Sequence, residues 1–181
     1  QALRDQFRQG LACRGLARLP ESRHPPAGLR AGHQTEDRMG TDLSPRLRAI
    51  VDALPLSDGL RVLEIGCGPG AMARAIAQRV GNGHVLAIDR SAKAIAQAQA
   101  LSREEIATGR LSLRQVAAED LELAPGEAPY DIAVAVRVGA LDGRHPEAGR
   151  KARRRIAAAL SAQGRLFVDG GDPLQEIALS D

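Results

Sequence analysis

A glycine-rich sequence joins a short apolar run to a segment with helical character. It reads Glu-Ile-Gly-Cys-Gly-Pro-Gly from Glu64 to Gly70. Because glycine has no Cβ, Gly66 and Gly68 allow the backbone to turn sharply and to approach a ligand closely. A helix beginning near Gly70 would offer backbone N–H groups without partners. The pattern predicts a ligand-binding loop, although the same spacing also occurs where only a tight connection is needed.

Two acidic residues near this loop indicate which ligands it can accept. Glu64 lies two residues before the first glycine, and Asp89 ends the next apolar run, 19 residues after the last glycine of the loop. A carboxylate here repels a pyrophosphate and favours a cation or hydroxyl groups. The spacing Gly66-x-Gly68-x-x-Ala71 fits a dinucleotide-binding loop, but Glu64 argues against two phosphates. A nucleoside that carries an amino acid and a sulfonium, and no phosphate, fits the acids better.

Apolar periodicity predicts the elements that position the loop. Ser44 and Pro45 begin a helix whose apolar stripe runs to Leu54. Beyond it we predict strands at residues 61–65, 84–89, 111–116, 130–138 and 165–169, and helices at 71–80, 91–107 and 146–160. Strands separated by helices pair in parallel through right-handed crossovers. The sequence therefore predicts a three-layer, Rossmann-like α/β fold: an open, mainly parallel sheet of about five strands, with helices on both faces and its ligand beyond the carboxyl ends of the strands.

Residues 43–170 resemble the class I S-adenosylmethionine-dependent methyltransferases. Members of that family carry an acidic residue, two further positions and then Gly-x-Gly-x-Gly, which residues 64–70 reproduce. The second strand of the family ends in an acid that binds the ribose hydroxyls. Asp89 stands at that position, and the resemblance puts Arg90 beside the adenine. It implies S-adenosyl-L-methionine as cofactor and S-adenosyl-L-homocysteine as product.

The sequence departs from the family pattern after the third strand. The family often has Gly-Asp-Ala-Glu-Asp-Leu there, with the first Asp holding the adenine amino group, whereas residues 116–121 read Val-Ala-Ala-Glu-Asp-Leu. Ala117 replaces that Asp, which leaves the adenine contacts to the Ala118 backbone and the Glu119 side chain. The cofactor-binding residues that the resemblance implies are Glu64, Gly66, Cys67, Gly68, Gly70, Asp89, Arg90, Ala118, Glu119 and Arg137.

Each residue of this set also has a purely structural interpretation. Glu64 can be a solvated charge at a strand end, the glycines can serve the turn alone, and Asp89 can cap the helix at Ser91. Their joint occurrence on the expected elements favours the binding site. We expect Cys67 to be a small loop residue rather than a nucleophile, because no histidine lies near it in sequence.

Methyl transfer from a sulfonium is an in-line displacement that needs orientation first and a general base only for some acceptors. A base would come from the loop after the fourth strand, which faces the methyl group in the family that this chain resembles. There His145 has a suitable pKa, and Asp142 can orient it or accept a proton. The alternative is that Asp142-Gly143 is a turn and His145-Pro146 a helix entry.

The substrate class follows from what the sequence lacks. No Asn-Pro-Pro-Tyr type motif follows the fourth strand, although the family's DNA amino-methylating members usually have one, so we expect a small-molecule acceptor and no nucleic acid. Two alternatives stay open. One is a module that binds S-adenosylmethionine without turning it over, given Ala117 and the absence of an obvious base. The other is a dinucleotide-binding oxidoreductase, supported by the glycine spacing and Asp89.

Composition divides the chain of 181 residues into two parts. Residues 1–38 hold seven Arg and four acidic residues, whereas residues 39–181 hold 18 basic and 18 acidic residues. Residues 1–38 are predicted to be a mobile extension or a basic amphipathic arm. Alternatively, the protein starts at Met39 in the cell. Residues 39–181 are predicted to form one catalytic domain without net charge. The two cysteines, Cys13 and Cys67, fit neither a disulfide framework nor a metal site, and no apolar run has membrane length. We expect a cytoplasmic protein without a metal or a membrane contact.

The last segments carry two further expectations. Five basic residues between Arg150 and Arg155 lie on a predicted helix, where a solvated face is favoured over a phosphate site. Only residues 170–181 follow the fifth strand, which is too few for the two further strands of the family. We therefore expect either an exposed fifth strand covered by a second copy of the chain or by the N-terminal arm, or a sequence that has been cut short.

Overall fold

The computed structural model describes residues 43–179 and has the predicted three-layer α/β architecture. The predicted N-terminal extension, residues 1–38, lies outside the described residues. The helices are α1 Pro45–Ala53, α2 Ala71–Arg79, α3 Ala92–Leu101, α4 Arg103–Ala107 and α5 Pro146–Ala159, with a single 3₁₀ turn at Ala118–Asp120. The strands are β1 Arg61–Ile65, β2 His84–Asp89, β3 Leu111–Gln115, β4 Tyr130–Ala135, β5 Leu160–Asp169 and β6 Leu174–Ile177.

The six strands of residues 43–179 form one sheet in the order β3-β2-β1-β4-β5-β6. The first five pair in parallel, and β6 runs antiparallel to β5. The chain leaves β1 toward β2 and β3 on one side and later returns to β4 on the other. The carboxyl ends of β1 and β4 therefore flank the point where the strand order reverses, which is where open sheets of this kind bind ligands.

Two apolar cores fill the space between the sheet and the helices on its two faces. Along β1, Val62 packs on the side of α1 and α2, whereas Leu63 and Ile65 pack on the side of α5. Because successive strand residues point to opposite faces, Glu64 shares the face of Val62 and points toward the α1 and α2 layer. A carboxyl group thus stands among apolar side chains at the end of the central strand.

Several element boundaries differ from the prediction. The long alanine-rich helix is interrupted at Ser102, which is fully buried and has the non-helical angles φ −114° and ψ 30°. Strand β4 ends at Ala135, before the predicted residue 138, because the chain turns there into the loop at Arg137. Strand β5 begins at Leu160 directly after α5, and its register with β4 shifts between Tyr130 and Ile132.

The prediction of an exposed fifth strand was wrong. Strand β6 pairs with β5 from Leu166↔Ile177 to Asp169↔Leu174, and Arg165 forms an ion pair with Glu176 at 2.6 Å across the two strands. The few residues after β5 suffice for one antiparallel strand, which needs only a short connection. The chain covers this edge itself, so the reason for expecting a homo-oligomer there disappears.

The basic residues of α5 form a solvated and partly neutralised surface. Lys151 pairs with Asp120 at 2.7 Å and Arg155 with Glu122 at 2.9 Å, while Arg150 pairs with Glu147 within the helix. The buried stripe of α5 consists of Gly149, Ala152, Ile156 and Ala159. Within residues 43–179, none of the helices combines the length and apolar character needed to cross a membrane.

Removal of β6 tests the pairing of the last two strands. We expect a variant that ends at Asp172 to self-associate, because the N–H and C=O groups along one side of β5 lose their partners and offer an edge for another chain. Sedimentation velocity of the two proteins over a range of concentrations measures this difference. A truncated protein with the same sedimentation behaviour as the full chain would contradict this role of β6.

Candidate functional site

The glycine loop between β1 and α2 is tied to the end of β2. The backbone N–H groups of Gly66 and Cys67 donate to the carbonyl oxygen of Ile88 at 2.8 and 3.0 Å. Gly66 and Gly68 both have positive φ, 74° and 53°, which side-chain-bearing residues rarely adopt. A Cβ on Gly66 would lie 2.8 Å from a methyl group of Val138, whereas a Cβ on Gly68 would have nothing within 4 Å. Gly66 therefore serves packing, and Gly68 borders open space.

The carboxylate of Asp89 fastens this loop to the following helix. Its Oδ2 accepts a hydrogen bond from the Gly68 N–H at 2.9 Å, and its Oδ1 accepts one from the Ser91 N–H at 2.8 Å. Each carboxylate oxygen can accept a second hydrogen bond. The cap of α3 is Ser91, whose hydroxyl accepts from the Ala94 N–H at 3.3 Å, so Asp89 is not the helix cap that the sequence analysis gave as its alternative. Asp89 fixes the loop and retains acceptor capacity toward a ligand.

Glu64 is the most perturbed group of the site. Its side chain is buried, and its Oε2 has no hydrogen-bond partner among residues 43–179. Burial raises the pKa of Glu64 to about 8, with a smaller rise from Asp89 and an opposing effect of Arg74. A buried acceptor without a partner is costly in a folded protein. A ligand that brought a cation or a donor to this oxygen would remove that cost.

Two neighbouring cavities open at the carboxyl ends of the strands. The larger, about 600 Å³, extends from the end of β2 past the loop after β3 to the start of α5. The smaller, about 320 Å³, lies between α1 and the glycine loop. The predicted residues that line the larger cavity are Gly66, Asp89, Arg90, Ala118, Glu119, Arg137 and His145. Those that line the smaller are Glu64, Gly66, Cys67 and Arg137.

Of the cofactor residues that the resemblance implies, only Gly68 and Gly70 line neither cavity. Both shape the loop: Gly68 donates to Asp89, and Gly70, with φ 79°, begins α2. Cys67 is buried, and the pKa of its thiol is raised to about 12 by burial and by the carboxyls of Glu64 and Asp89. A thiol that stays protonated is a poor nucleophile, in agreement with its expected role as a loop residue.

The two predicted catalytic residues lie in different surroundings. His145 lines the larger cavity, next to the start of α5. Asp142 lines neither cavity. Its carboxylate accepts hydrogen bonds from the Arg144 Nε at 2.7 Å and the Arg144 N–H at 3.1 Å, and these bonds lower the pKa of Asp142. A carboxylate held ionised by arginine is a weak base, so these contacts disfavour Asp142 as a proton acceptor. That Asp142 orients His145, whose charge acts on it, stays a prediction.

The sequence analysis missed a chain of contacts that anchors α1 beside the site. Arg46, which lines the smaller cavity, donates to Asp169 Oδ2 at 2.9 Å. Asp169 Oδ1 in turn accepts from the backbone N–H of Arg137 at 3.0 Å. Asp169 ends a strand at the ligand-binding edge of the sheet, as Asp89 does, and that position was the signal that could have identified it. Nothing in the periodicity of α1 distinguishes Arg46 from a solvated residue.

Comparison with known proteins identifies the family. A family model described as a methyltransferase domain matches residues 62–164, more than half of the chain. The chain belongs to this methyltransferase family. The match begins in β1 and includes the glycine loop, the end of β2 and the loop after β4, so it contains nearly every residue discussed above. The resemblance to class I S-adenosylmethionine-dependent methyltransferases is thereby confirmed.

Individual relatives of this methyltransferase domain agree with the family match. A ubiquinone biosynthesis O-methyltransferase of Leptothrix cholodnii is 35% identical over 122 residues, which are 65% of this chain and 47% of the relative. A trans-aconitate 2-methyltransferase of Streptomyces avermitilis is 35% identical over 88 residues, 49% of this chain and 31% of the relative. The matched regions thus span less than half of either relative.

A solved structure supports the fold. Coclaurine N-methyltransferase bound to N-methylheliamine and SAH superposes with a TM-score of 0.55 and 23% identity, over 67% of this chain and 34% of that protein. At this identity the likeness concerns the fold alone.

Replacement of Glu64 by Gln tests the cost of the buried carboxyl. Because the pKa of Glu64 rises from 4.5 to about 8 on folding, its contribution to stability is fully present below pH 4.5 and falls as the pH rises toward 8. We expect E64Q to unfold at a higher temperature than the wild type at pH 8.5, with the difference shrinking toward pH 5. Thermal unfolding across this pH range measures it, with E104Q, at an exposed carboxylate of α4, as the control.

Equal or lower stability of E64Q at pH 8.5 would contradict the assignment. So would a gain in stability that does not depend on pH, since such a gain would come from packing rather than from the ionisation of Glu64. A similar change in E104Q would point to net charge as the cause.

The two loop glycines provide a matched pair. A side chain at positive φ costs about 1–2 kcal/mol, and both G66A and G68A incur that cost. G66A also forces its Cβ against Val138, so we expect it to lose clearly more free energy of unfolding than G68A in urea denaturation. If G66A were as stable as G68A, the close packing of the loop against the residues after β4 would be refuted.

Proposed function

We propose that this chain binds S-adenosyl-L-methionine and transfers its methyl group to a small-molecule acceptor. The observation that carries the proposal is the buried Glu64 carboxyl. Its Oε2 lacks a partner among the described residues, and Glu64 lines a cavity beside the glycine loop. The S-adenosylmethionine molecule carries an ammonium group and a sulfonium, and no phosphate. The carboxyl groups of Glu64 and Asp89 fit such a ligand.

Three parts of the ligand find matching chemistry in this proposal: its ammonium group, its ribose and its adenine. The ammonium group pairs with Glu64 in the smaller cavity, where burial strengthens a charge pair. The ribose hydroxyls donate to the remaining lone pairs of Asp89, whose carboxylate is already held in place by two backbone N–H groups. Arg90, Ala118 and Glu119 border the end of the larger cavity that would take the adenine.

The loop backbone completes the cofactor site. Gly66 and Cys67 line the smaller cavity, Gly68 borders open space where the ligand can approach, and Gly70 begins α2. Arg137 belongs to the set because it lines both cavities.

When bound, the cofactor supplies an electrophilic methyl group that an acceptor nucleophile takes by in-line displacement. The residues of this chain contribute orientation, which can supply about 7–11 kcal/mol in the best cases. Two carboxyl groups, Glu64 and Asp89, would face the cofactor, whose sulfonium charge is neutralised when the methyl group leaves. His145, in the larger cavity, is the group that can take a proton from an acceptor that must lose one.

The proposed small-molecule acceptor draws support from the named relatives. The ubiquinone biosynthesis O-methyltransferase and the trans-aconitate 2-methyltransferase carry small molecules in their names. Residues 39–181 hold equal numbers of basic and acidic side chains, so the domain lacks the net positive charge that promotes binding to nucleic acid.

Calorimetric titration with S-adenosyl-L-methionine, S-adenosyl-L-homocysteine and NAD tests the cofactor. We expect the two adenosyl ligands to bind and NAD not to bind, because its pyrophosphate would meet Glu64 and Asp89. In thermal unfolding, ligand at about 100 times its dissociation constant should add about 2.7 kcal/mol to the free energy of unfolding.

The variant D89A should lose both the binding and this stabilisation. The control is D58A, at an exposed turn carboxylate away from both cavities.

The outcomes separate the three candidate functions. Binding of NAD in preference to the adenosyl ligands would favour an oxidoreductase and reject the proposal. Binding without turnover, in an acceptor screen that measures released S-adenosyl-L-homocysteine, would favour a module that only holds the cofactor. An unchanged response in D89A would remove Asp89 from the site.

A further inference from the structure

Arg137 has a backbone conformation that its residue type disfavours. Its φ is 58°, and no other non-glycine residue between 43 and 179 has a positive φ. Glycine would adopt this conformation without strain. Such strain persists where surrounding contacts enforce it and is concentrated at functional sites. Here the enforcing contact is the carboxylate of Asp169, which accepts the Arg137 N–H at 3.0 Å and is itself held by Arg46.

The side chain of Arg137 carries an uncompensated charge beside both cavities. Arg137 lines both cavities and is exposed. Within residues 43–179 no carboxylate forms an ion pair with its guanidinium, whereas the charge of Arg144 is offset by Asp142 at 2.5 Å. The residue with the strained backbone therefore also carries a guanidinium that no carboxylate of residues 43–179 neutralises.

The larger cavity is electrically asymmetric around this cation. Asp89 and Glu119 line one end, together with Arg90, whereas Arg144 and His145 line the other. The start of α5 lies at this second end and has no side chain that caps it, so the helix dipole adds positive potential there. Asp142 offsets the charge of Arg144, and Glu147 in the first turn of α5 opposes the helix dipole. Arg137 is therefore the cation beside this cavity that would stabilise a negatively charged group away from Asp89 and Glu119.

We propose that the methyl acceptor carries a carboxylate and that the Arg137 guanidinium binds it. This inference rests on the proposed function, because it assigns the acceptor of the same site. A guanidinium matches a planar carboxylate through two parallel hydrogen bonds. The Arg137 guanidinium balances the single charge of a carboxylate, whereas a phosphate monoester carries close to two charges at neutral pH. The acids at the opposite end then face the cationic cofactor, and acceptor and cofactor attract each other across the cavity.

Nuclear magnetic resonance tests the proposal on the full chain saturated with S-adenosyl-L-homocysteine. The probes are two pairs of equal shape, benzoate with benzamide and glutarate with glutaramide, at constant ionic strength. The reporter is the side-chain Nε–H signal of Arg137, assigned by its loss in R137Q. We expect both carboxylates to shift this signal in a saturable way and both amides to leave it unchanged.

Variants then measure the contribution of the guanidinium. In R137Q the affinity for benzoate, followed through the backbone signals of residues 139–145, should fall about tenfold or more, the usual effect of losing one charge-assisted pair. R137K should recover part of it. R153Q, which removes an exposed arginine of α5 that lines neither cavity, should bind benzoate as the wild type does.

A glycine variant separates binding from structure. Because glycine fits the observed φ, R137G should be at least as stable as the wild type and should still lose the response to benzoate. If R137G lost stability and R137Q kept its affinity for benzoate, Arg137 would be a structural residue and the inference would be wrong.

Two further results would also overturn it. Equal responses to benzoate and benzamide would show that charge is not recognised, and equal shifts of all exposed arginines would show unspecific binding of anions. The initial titration with S-adenosyl-L-homocysteine keeps the two proposals apart. Its failure rejects the proposed function, whereas its success followed by no selective carboxylate binding rejects only the assignment of Arg137.

Discussion

A carboxyl group buried at the end of the central strand is the constraint on which the site depends. Glu64 follows Leu63 in the alternation of β1 and therefore points into the layer below α1 and α2, where its Oε2 finds no partner among the described residues. The protein bears the free-energy cost of this arrangement in the absence of a ligand. A positively charged ligand beside Glu64 would offset this cost, because it would give the buried carboxyl group a partner.

The rest of the site is organised around this group. The glycine loop passes over it because two loop N–H groups bond to Ile88, and Asp89 joins the loop to the start of α3. Asp169 has the equivalent position at the end of β5, among the strands on the other side of β1. It holds the turn at Arg137 and, through Arg46, the start of α1. Two strand-end carboxylates thus fix the loops on both sides of β1, and the cavities lie between them.

The sequence predicted the features that depend on local pattern. Strands β1 and β2 and the first residue of α2 agree with the periodicity, because apolar runs bounded by glycine or a helix cap leave few alternatives. The glycine loop and Asp89 were found because their residue types and spacing carry the chemistry directly. The interruption at Ser102 was missed because a serine inside an alanine-rich run does not disturb the helical period.

Features that depend on distant contacts could not be predicted in this way. Strand β6 consists of four residues, and only its pairing with β5 makes it a strand. The pairing of Asp142 with Arg144, which removes Asp142 from consideration as a base, and the pairing of Arg46 with Asp169 across 123 positions arise from the folded geometry. Nor does the type of residue 137 reveal a left-handed backbone, since arginine rarely adopts one.

Proton release on cofactor binding tests the central claim most directly. With a pKa of about 8, Glu64 is mostly protonated at pH 7 in the free protein, and a ligand ammonium group beside it would favour the ionised form. Calorimetric titrations with S-adenosyl-L-methionine at pH 7, in buffers with different enthalpies of ionisation, count the protons exchanged. We predict that the wild type releases close to one proton for each cofactor bound and that E64Q releases none. Identical binding enthalpies in all buffers for the wild type would contradict it.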